Sequence, residues 1–189
     1  MKKKELIRIN GKQLFIEQGF KKTNIAGIMN NVKMATGTFY NYYESKDQLF
    51  MDIYLEENTN LKQSILDKVD ISGHPLQVMG QLMTLNHQGM LENPILKEWY
   101  NKEVFSKIEK VYREANGVDS SDFMYDSFVD VVKSWQEQGT FRSDISAEMI
   151  MAIFSAIINI DTHKEEVGLS YFPELLSHIN KFVINGLME

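Results

Sequence analysis

The sequence predicts an all-α protein with an N-terminal three-helix head containing a helix-turn-helix, followed by a larger helical domain. Three observations predict it. Apolar residues recur at i, i+3 and i+4 along nearly the whole chain, and no segment sustains the strict alternation of a half-buried strand. Positive charge is concentrated near the N-terminus: residues 1–50 hold nine of the 20 Lys and Arg and four of the 26 acids, so the rest of the chain is strongly acidic. A chain of 189 residues, 43% apolar and 24% charged, can also bury a substantial core.

The elements follow in order. Ile7, Gly11, Leu14, Phe15 and Gln18 trace one face of a first helix, and Gly19-Phe20 is a stop. Thr23 is placed to cap a short helix carrying Ile25, Ile28 and Met29. After a break around Val32 to Met34, a second short helix is expected through Thr38 to Tyr42. Ser45-x-x-Gln48 has the spacing of a capping box, and Leu49, Phe50, Ile53, Tyr54, Leu61 and Ile65 carry a long helix on to about Val69. Pro75 and Asn93-Pro94 mark later helix starts, Gly117 and Gly139 mark stops, and Ser146 caps an oily run. Phe128, Val131, Val132 and Trp135 give one buried face. From Met149 to Ile160 only Ser155 and Asn159 are polar, so that helix must be covered on nearly all sides. Leu175, Leu176, Ile179, Phe182, Val183, Gly186 and Leu187 put a broad stripe on the last helix. The domain boundary is expected at 50/51, dividing a head of residues 1–50 from a body of residues 51–189.

Composition removes several classes of function. The absence of cysteine excludes disulfide scaffolds and thiolate metal sites. MKKKELIRINGK lacks the apolar run of a signal peptide, and Met149 to Ile160 falls short of the roughly 20 residues that span a bilayer. The expectation is a soluble, cytoplasmic protein with no membrane partner. There is no phosphate loop, nucleophile elbow, paired-histidine motif or dinucleotide fingerprint, so an enzyme is not expected and no cofactor is called for. His74, His87, His163 and His178 are dispersed, none with a histidine at i+3 or i+4, which argues against a metal site. A basic head on an acidic body suits a nucleic-acid partner, because phosphate neutralisation needs local positive charge. The alternative is a helical interaction module whose basic head docks an acidic protein.

The run Ile7, Leu14-Phe15, Gly19-Phe20, Thr23, Ile25, Ile28, then Gly37-Thr38-Phe39-Tyr40-x-Tyr42-Tyr43-x-Ser45-Lys46-x-x-Leu49 resembles the N-terminal signature of TetR-type transcriptional regulators. The resemblance covers about the first 50 residues. It departs from the family pattern at Asn10-Gly11 in the first helix, at Lys33 where the turn usually has glycine, and at Ala35 where a polar cap usually precedes the recognition helix. Lys33 in a turn of positive φ would cost about 1 kcal/mol.

What the resemblance implies is a regulator, in the first instance a repressor, that binds double-stranded DNA. In a two-turn recognition helix the N-terminal residues enter the major groove, and small ones allow close approach. Thr36, Gly37 and Thr38 suit that task, and Asn41 can read a base edge. The hydroxyls of Tyr40 and Tyr42 can reach phosphates, Lys46 is a further phosphate candidate, and Thr23 joins the DNA-binding set. Phe39 and Tyr43, four positions apart, share the opposite face. The resemblance further implies a homodimer formed by the last two helices, with Ile150, Phe154, Ile157, Ile158, Leu176, Ile179 and Val183 at the interface, on a palindromic operator. A small, largely apolar effector would bind between head and dimer helices; the residues assigned to it are Met83, His87, Met90, Trp99, Tyr100, Phe123 and Phe128, in a methionine-rich stretch that also holds Met79, Leu82, Asn86, Val104, Tyr112 and Trp135.

Overall fold

The computed structural model describes residues 2–105, 107, 111, 123–160, 171 and 174–188. Its helices are α1 (Lys3–Lys22), α2 (Ile25–Asn31), a 3₁₀ helix (Thr36–Asn41), α3 (Lys46–Leu66), α4 (Pro75–Glu92), a second 3₁₀ helix (Leu96–Tyr100), α5 (Phe123–Glu137), α6 (Ala147–Ile160) and α7 (Glu174–Met188). No strand occurs among the described residues. Gly117, Tyr112 and His163 lie outside them, as do the side chains of Phe123 and Ile158.

By packing, the chain forms two compact units, residues 1–62 with 86–120 and residues 63–85 with 121–189. The first is built on an aromatic triangle. Phe15 meets Phe50 edge-on at 5.0 Å, Phe20 meets Phe50 at 4.9 Å, and Phe15 and Phe20 stack at 6.0 Å. Ile7, Ile28, Met29, Phe39 and Leu49 are buried with them. Gly11 makes room here: a Cβ at this position would lie 2.8 Å from Cδ2 of the fully buried Leu49, which would have to shift. That accounts for the glycine in Asn10-Gly11.

Several local expectations are modified by the folded chain. The stop at Gly19 is a backbone break, φ 79°, although hydrogen bonding resumes to Lys22. The cap of α2 is Asn24 rather than Thr23: Oδ1 of Asn24 accepts from the Gly27 N–H at 2.8 Å. Asn24 sits one residue nearer the first turn, while the Thr23 hydroxyl is drawn back toward α1. The recognition element begins at Thr36, two residues earlier than expected, and is a 3₁₀ helix with no side-chain cap at Ala35. The long helix ends at Leu66 rather than about Val69. Ser45 does cap it, its Oγ accepting from the Gln48 N–H at 3.1 Å while Gln48 Oε1 accepts from the Glu44 N–H at 2.7 Å.

In the second unit, α5 packs on α6 and α6 on α7. Phe128, Val132 and Trp135 are buried along one face of α5, and Gly139 ends the following turn at φ 70°. The α5–α6 loop is tied internally: Gln136 Nε2 donates to the carbonyls of Arg142 (2.8 Å) and Ile145 (2.7 Å), and the Arg142 N–H donates to the Leu187 carbonyl at 2.7 Å. Oγ of Ser146 accepts from the Met149 N–H at 3.2 Å, as expected of the cap of α6.

Candidate nucleic-acid interface

The turn between α2 and the 3₁₀ helix is tight because Lys33 adopts φ 54°, the one positive-φ non-glycine among the described residues. Its N–H donates to the Asn30 carbonyl at 3.0 Å, and the Met34 N–H to the Met29 carbonyl at 3.0 Å. A lysine therefore occupies the left-handed geometry that favours glycine, at a cost of about 1 kcal/mol. The turn keeps the tight form and bears the strain.

From that turn the 3₁₀ helix presents two faces. Phe39 is fully buried and Tyr43 nearly so, their rings 5.7 Å apart. The Tyr43 hydroxyl donates to Asp52 Oδ2 at 2.6 Å, and the Lys4 ammonium lies 5.1 Å from its ring centre. Burial, and then this hydrogen bond to a carboxylate, push the Tyr43 phenol far above its ordinary pKa. On the other face Tyr40 is 58% and Tyr42 37% exposed, and Thr36, Gly37 and Asn41 are exposed with them; Thr38 is half-buried. A Cβ added to Gly37 would meet nothing within 4 Å and its φ is not positive, so the fold itself makes no demand for glycine there.

Two residues assigned to DNA contact have their polar atoms engaged inside the protein. Thr23 is 1% exposed. Its hydroxyl lies 2.9 Å from the Gly19 carbonyl and 3.2 Å from that of Leu14, and accepts from Gln18 Nε2 at 3.3 Å. The Lys46 ammonium donates to the carbonyls of Phe20 (2.8 Å) and Thr23 (2.9 Å) and sits 4.2 Å from the Phe20 ring centre. Burial lowers its pKa from the ordinary lysine value. The i+3 and i+4 patterns of the chain carry no trace of the Lys46 arrangement, which joins residues 23 and 26 positions apart.

Behind this face a polar interlock runs through the first unit. Arg8 pairs with Glu5 at 2.8 Å and with Glu56, and Lys12 pairs with Glu57 at 2.6 Å. Glu57 also accepts from Asn93 Nδ2 at 2.8 Å, and Asn93 Oδ1 accepts from the N–H groups of Ile95 (2.9 Å) and Leu96 (3.3 Å). Burial works to raise the Glu57 carboxyl, yet Lys12 and Asn93 outweigh it and hold the pKa below the usual carboxylate value. The Phe20 N–H donates to Glu98 Oε1 at 3.3 Å, and Lys21 pairs with Glu103. Sequence reasoning missed Glu57, Asn93 and Glu98; the Asn93-Pro94 turn was the one visible signal.

The residues assigned to an effector fall in both units. In the first, His87 is exposed and its ring centre lies 6.4 Å from that of Tyr100, Met90 is buried, and Trp99, half-buried, stacks on Tyr54 at 5.3 Å. In the second, Phe128 is buried and Met83 half-buried, its Sδ accepting from Asn180 Nδ2. Of the residues assigned to a dimer interface, Ile150, Phe154 and Ile157 are buried within the single chain, whereas Leu176, Ile179 and Val183 are half-exposed. The large exposed apolar side chains among the described residues of these helices are Met149 (57%), Phe182 (69%) and Met188 (38%). Among the described residues no group of three or more His, Asp or Glu is placed to hold a metal ion, and no helix is long and apolar enough to cross a membrane.

An all-α chain whose N-terminal unit offers a short exposed helix, locked from behind and following a tight turn, has the architecture of a helix-turn-helix transcription regulator. The comparisons name the kind. Residues 10–53 match the family described as "Bacterial regulatory proteins, tetR family". It is 25% identical over 157 residues, 76% of this chain and 69% of the relative, to the protein of Escherichia coli K12 described as "Probable acrEF/envCD operon repressor". In fold it is similar to Thermus thermophilus FadR, a TetR-family transcriptional repressor solved in complex with lauroyl-CoA (TM-score 0.62, 18% identity, 99% of this chain and 94% of that one). It is likewise similar to RolR solved without ligand (TM-score 0.65, 16% identity, 95% and 89%) and to a tetR-family regulator from Shewanella sp. PV-4 (TM-score 0.57, 18% identity, 97% and 96%). The family consists of regulatory DNA-binding proteins rather than enzymes.

Proposed function

We propose that this protein is a ligand-responsive transcriptional repressor that binds a palindromic operator as a homodimer and is released by a small, largely apolar effector. The observation that carries the DNA half is the two-faced 3₁₀ helix. Phe39 and Tyr43 hold it, leaving Thr36, Gly37, Tyr40, Asn41 and Tyr42 outward, with Thr38 at the margin. Gly37, which the fold does not require, lets the backbone approach the floor of a groove. Thr36, Thr38 and Asn41 then read base edges while Tyr40 and Tyr42 reach phosphates.

So short a helix reads few base pairs, and useful specificity calls for two copies about 34–36 Å apart, one helical turn of DNA. Exposed Met149 and Phe182, beside half-exposed Leu176, Ile179 and Val183, support pairing through α6 and α7. The methionine-rich middle of the chain, and a fold-relative that holds lauroyl-CoA, support an apolar effector. The long α3, about 31 Å at 1.5 Å per residue, is the natural lever between effector and head. By linkage an effector that weakens DNA binding is itself weakened by DNA to the same factor.

The test is fluorescence anisotropy on the gene's own upstream DNA across a salt series, with stoichiometry by sedimentation. The expected result is two chains per palindrome and a steep fall of affinity with salt. Full-affinity binding by one chain to an isolated half-site would overturn the dimer. Absence of salt-dependent DNA binding, with capture of an acidic protein instead, would overturn the DNA reading.

A further inference from the structure

Lys46 stands in the first turn of α3, where a cation is unfavourable to that helix's own dipole. The geometry resolves the conflict. Its side chain reaches across to the end of α1, where a helix runs out of ladder donors for its last carbonyls, and donates to Phe20 O at 2.8 Å and Thr23 O at 2.9 Å. Its remaining side faces the Phe20 ring at 4.2 Å. The cation is thus unfavourable to one helix but favourable to the C-terminal end of another.

The position of these contacts in the chain matters as much as their number. Thr23 immediately precedes Asn24, the cap of α2, and Lys46 immediately follows the loop after the 3₁₀ helix. Everything that forms the helix-turn-helix, residues 24–45, therefore lies between the two residues joined by the Lys46–Thr23 hydrogen bond. Thr23 is itself fixed to α1 through the Gly19 and Leu14 carbonyls. Closing a loop at its base removes much of the freedom of the segment it encloses.

We infer that Lys46 is a positioning residue: it clasps the base of the DNA-reading segment to α1 through the Phe20 and Thr23 carbonyls, and serves DNA binding through that clasp rather than as a phosphate ligand. The inference rests on the DNA-binding reading for its consequence, but not for its first measurement. Two neutral variants separate the tasks. Lys46→Met keeps the apolar stem and removes every donor; Lys46→Gln keeps a shorter N–H donor and no charge.

Amide hydrogen exchange on the DNA-free protein comes first. In Lys46→Met, protection of residues 24–45 is expected to fall by about tenfold, the worth of one hydrogen bond to a charged group, while protection in α5 and α6 is unchanged; Lys46→Gln restores part of the loss. With operator DNA, Lys46→Met weakens binding by up to about tenfold because fewer molecules hold the competent geometry, and the slope of log K against log salt changes by well under one unit. A slope reduced by about one unit in both variants, with exchange of residues 24–45 unaltered, would make Lys46 a phosphate ligand and overturn the clasp. If the wild-type protein binds no DNA, the repressor reading fails while the exchange result still decides the clasp. Global unfolding of Lys46→Met leaves Lys46→Gln to decide it, since equal loss of structure by a donor-bearing side chain would also count against the hydrogen bonds.

Discussion

In the N-terminal unit the described buried polar side chains are matched: Thr23 to carbonyls of α1, Lys46 to Phe20 and Thr23, Glu57 to Lys12 and Asn93. The C-terminal helices differ. Asn180 is 7% exposed, its Nδ2 satisfied by the Leu176 carbonyl at 2.9 Å, yet its Oδ1 is the one buried side-chain polar atom without a partner among the described residues. The same helix leaves Phe182 outward, with His178 stacked on it at 6.1 Å. An exposed phenylalanine forgoes much of the roughly 1.5–3 kcal/mol that burial of such a side chain supplies. In the N-terminal unit these polar groups find their partners within the single chain. The other unit leaves apolar surface outward of the kind that the proposed pairing of two copies would cover.

That contrast can be broken, and the largest effect is expected in the head. Phe50→Ala removes the ring on which Phe15 and Phe20 both rest and should destabilise the protein by about 3–5 kcal/mol in urea denaturation. A loss under about 1 kcal/mol would mean the aromatic triangle is not the centre of that core. Phe182→Asp should leave the stability of the single chain within about 0.5 kcal/mol, because an exposed side chain loses few contacts, but should weaken self-association about 10- to 100-fold by sedimentation equilibrium. Unchanged association would move the dimer contact elsewhere. The smallest effect is expected from Asn180→Leu, which removes the orphaned acceptor and should raise stability by about 1 kcal/mol. Should thermal unfolding show destabilisation instead, Oδ1 has a donor in solution, such as a water molecule, and the contrast between the two regions weakens.

Much of the fold was readable before any coordinates because it depends on neighbours in sequence. The Ser45–Gln48 cap, the break at Gly19, the proline start of α4 and the stop at Gly139 are local hydrogen-bond or φ requirements that a few adjacent residues determine. The strained turn at Lys33 was visible for the same reason, as a departure at a position that needs positive φ. Phe39 and Tyr43 were separable from Tyr40 and Tyr42 because faces of a helix follow from spacing alone. The candidate DNA face was readable to that extent, from periodicity and the family resemblance together.

Local pattern did not determine where polar side chains would go once distant segments met. Thr23 and Lys46 looked like surface groups because a threonine before a helix and a lysine in a first turn are ordinarily solvated. Only the approach of α1 to α3, which Gly11 permits and which brings unpaired carbonyls beside Lys46, gives them internal partners. In the same way the apolar run of α6 signalled burial without saying against what, and Ile150, Phe154 and Ile157 turned out to be covered within their own chain. By itself the sequence determined the helices, their ends and the outward face of the recognition element, since these are set by backbone geometry within a few residues. The tertiary structure decided which charges are spent on the fold and which remain available to a partner, because hydrogen-bond competition is settled by the groups nearest in space.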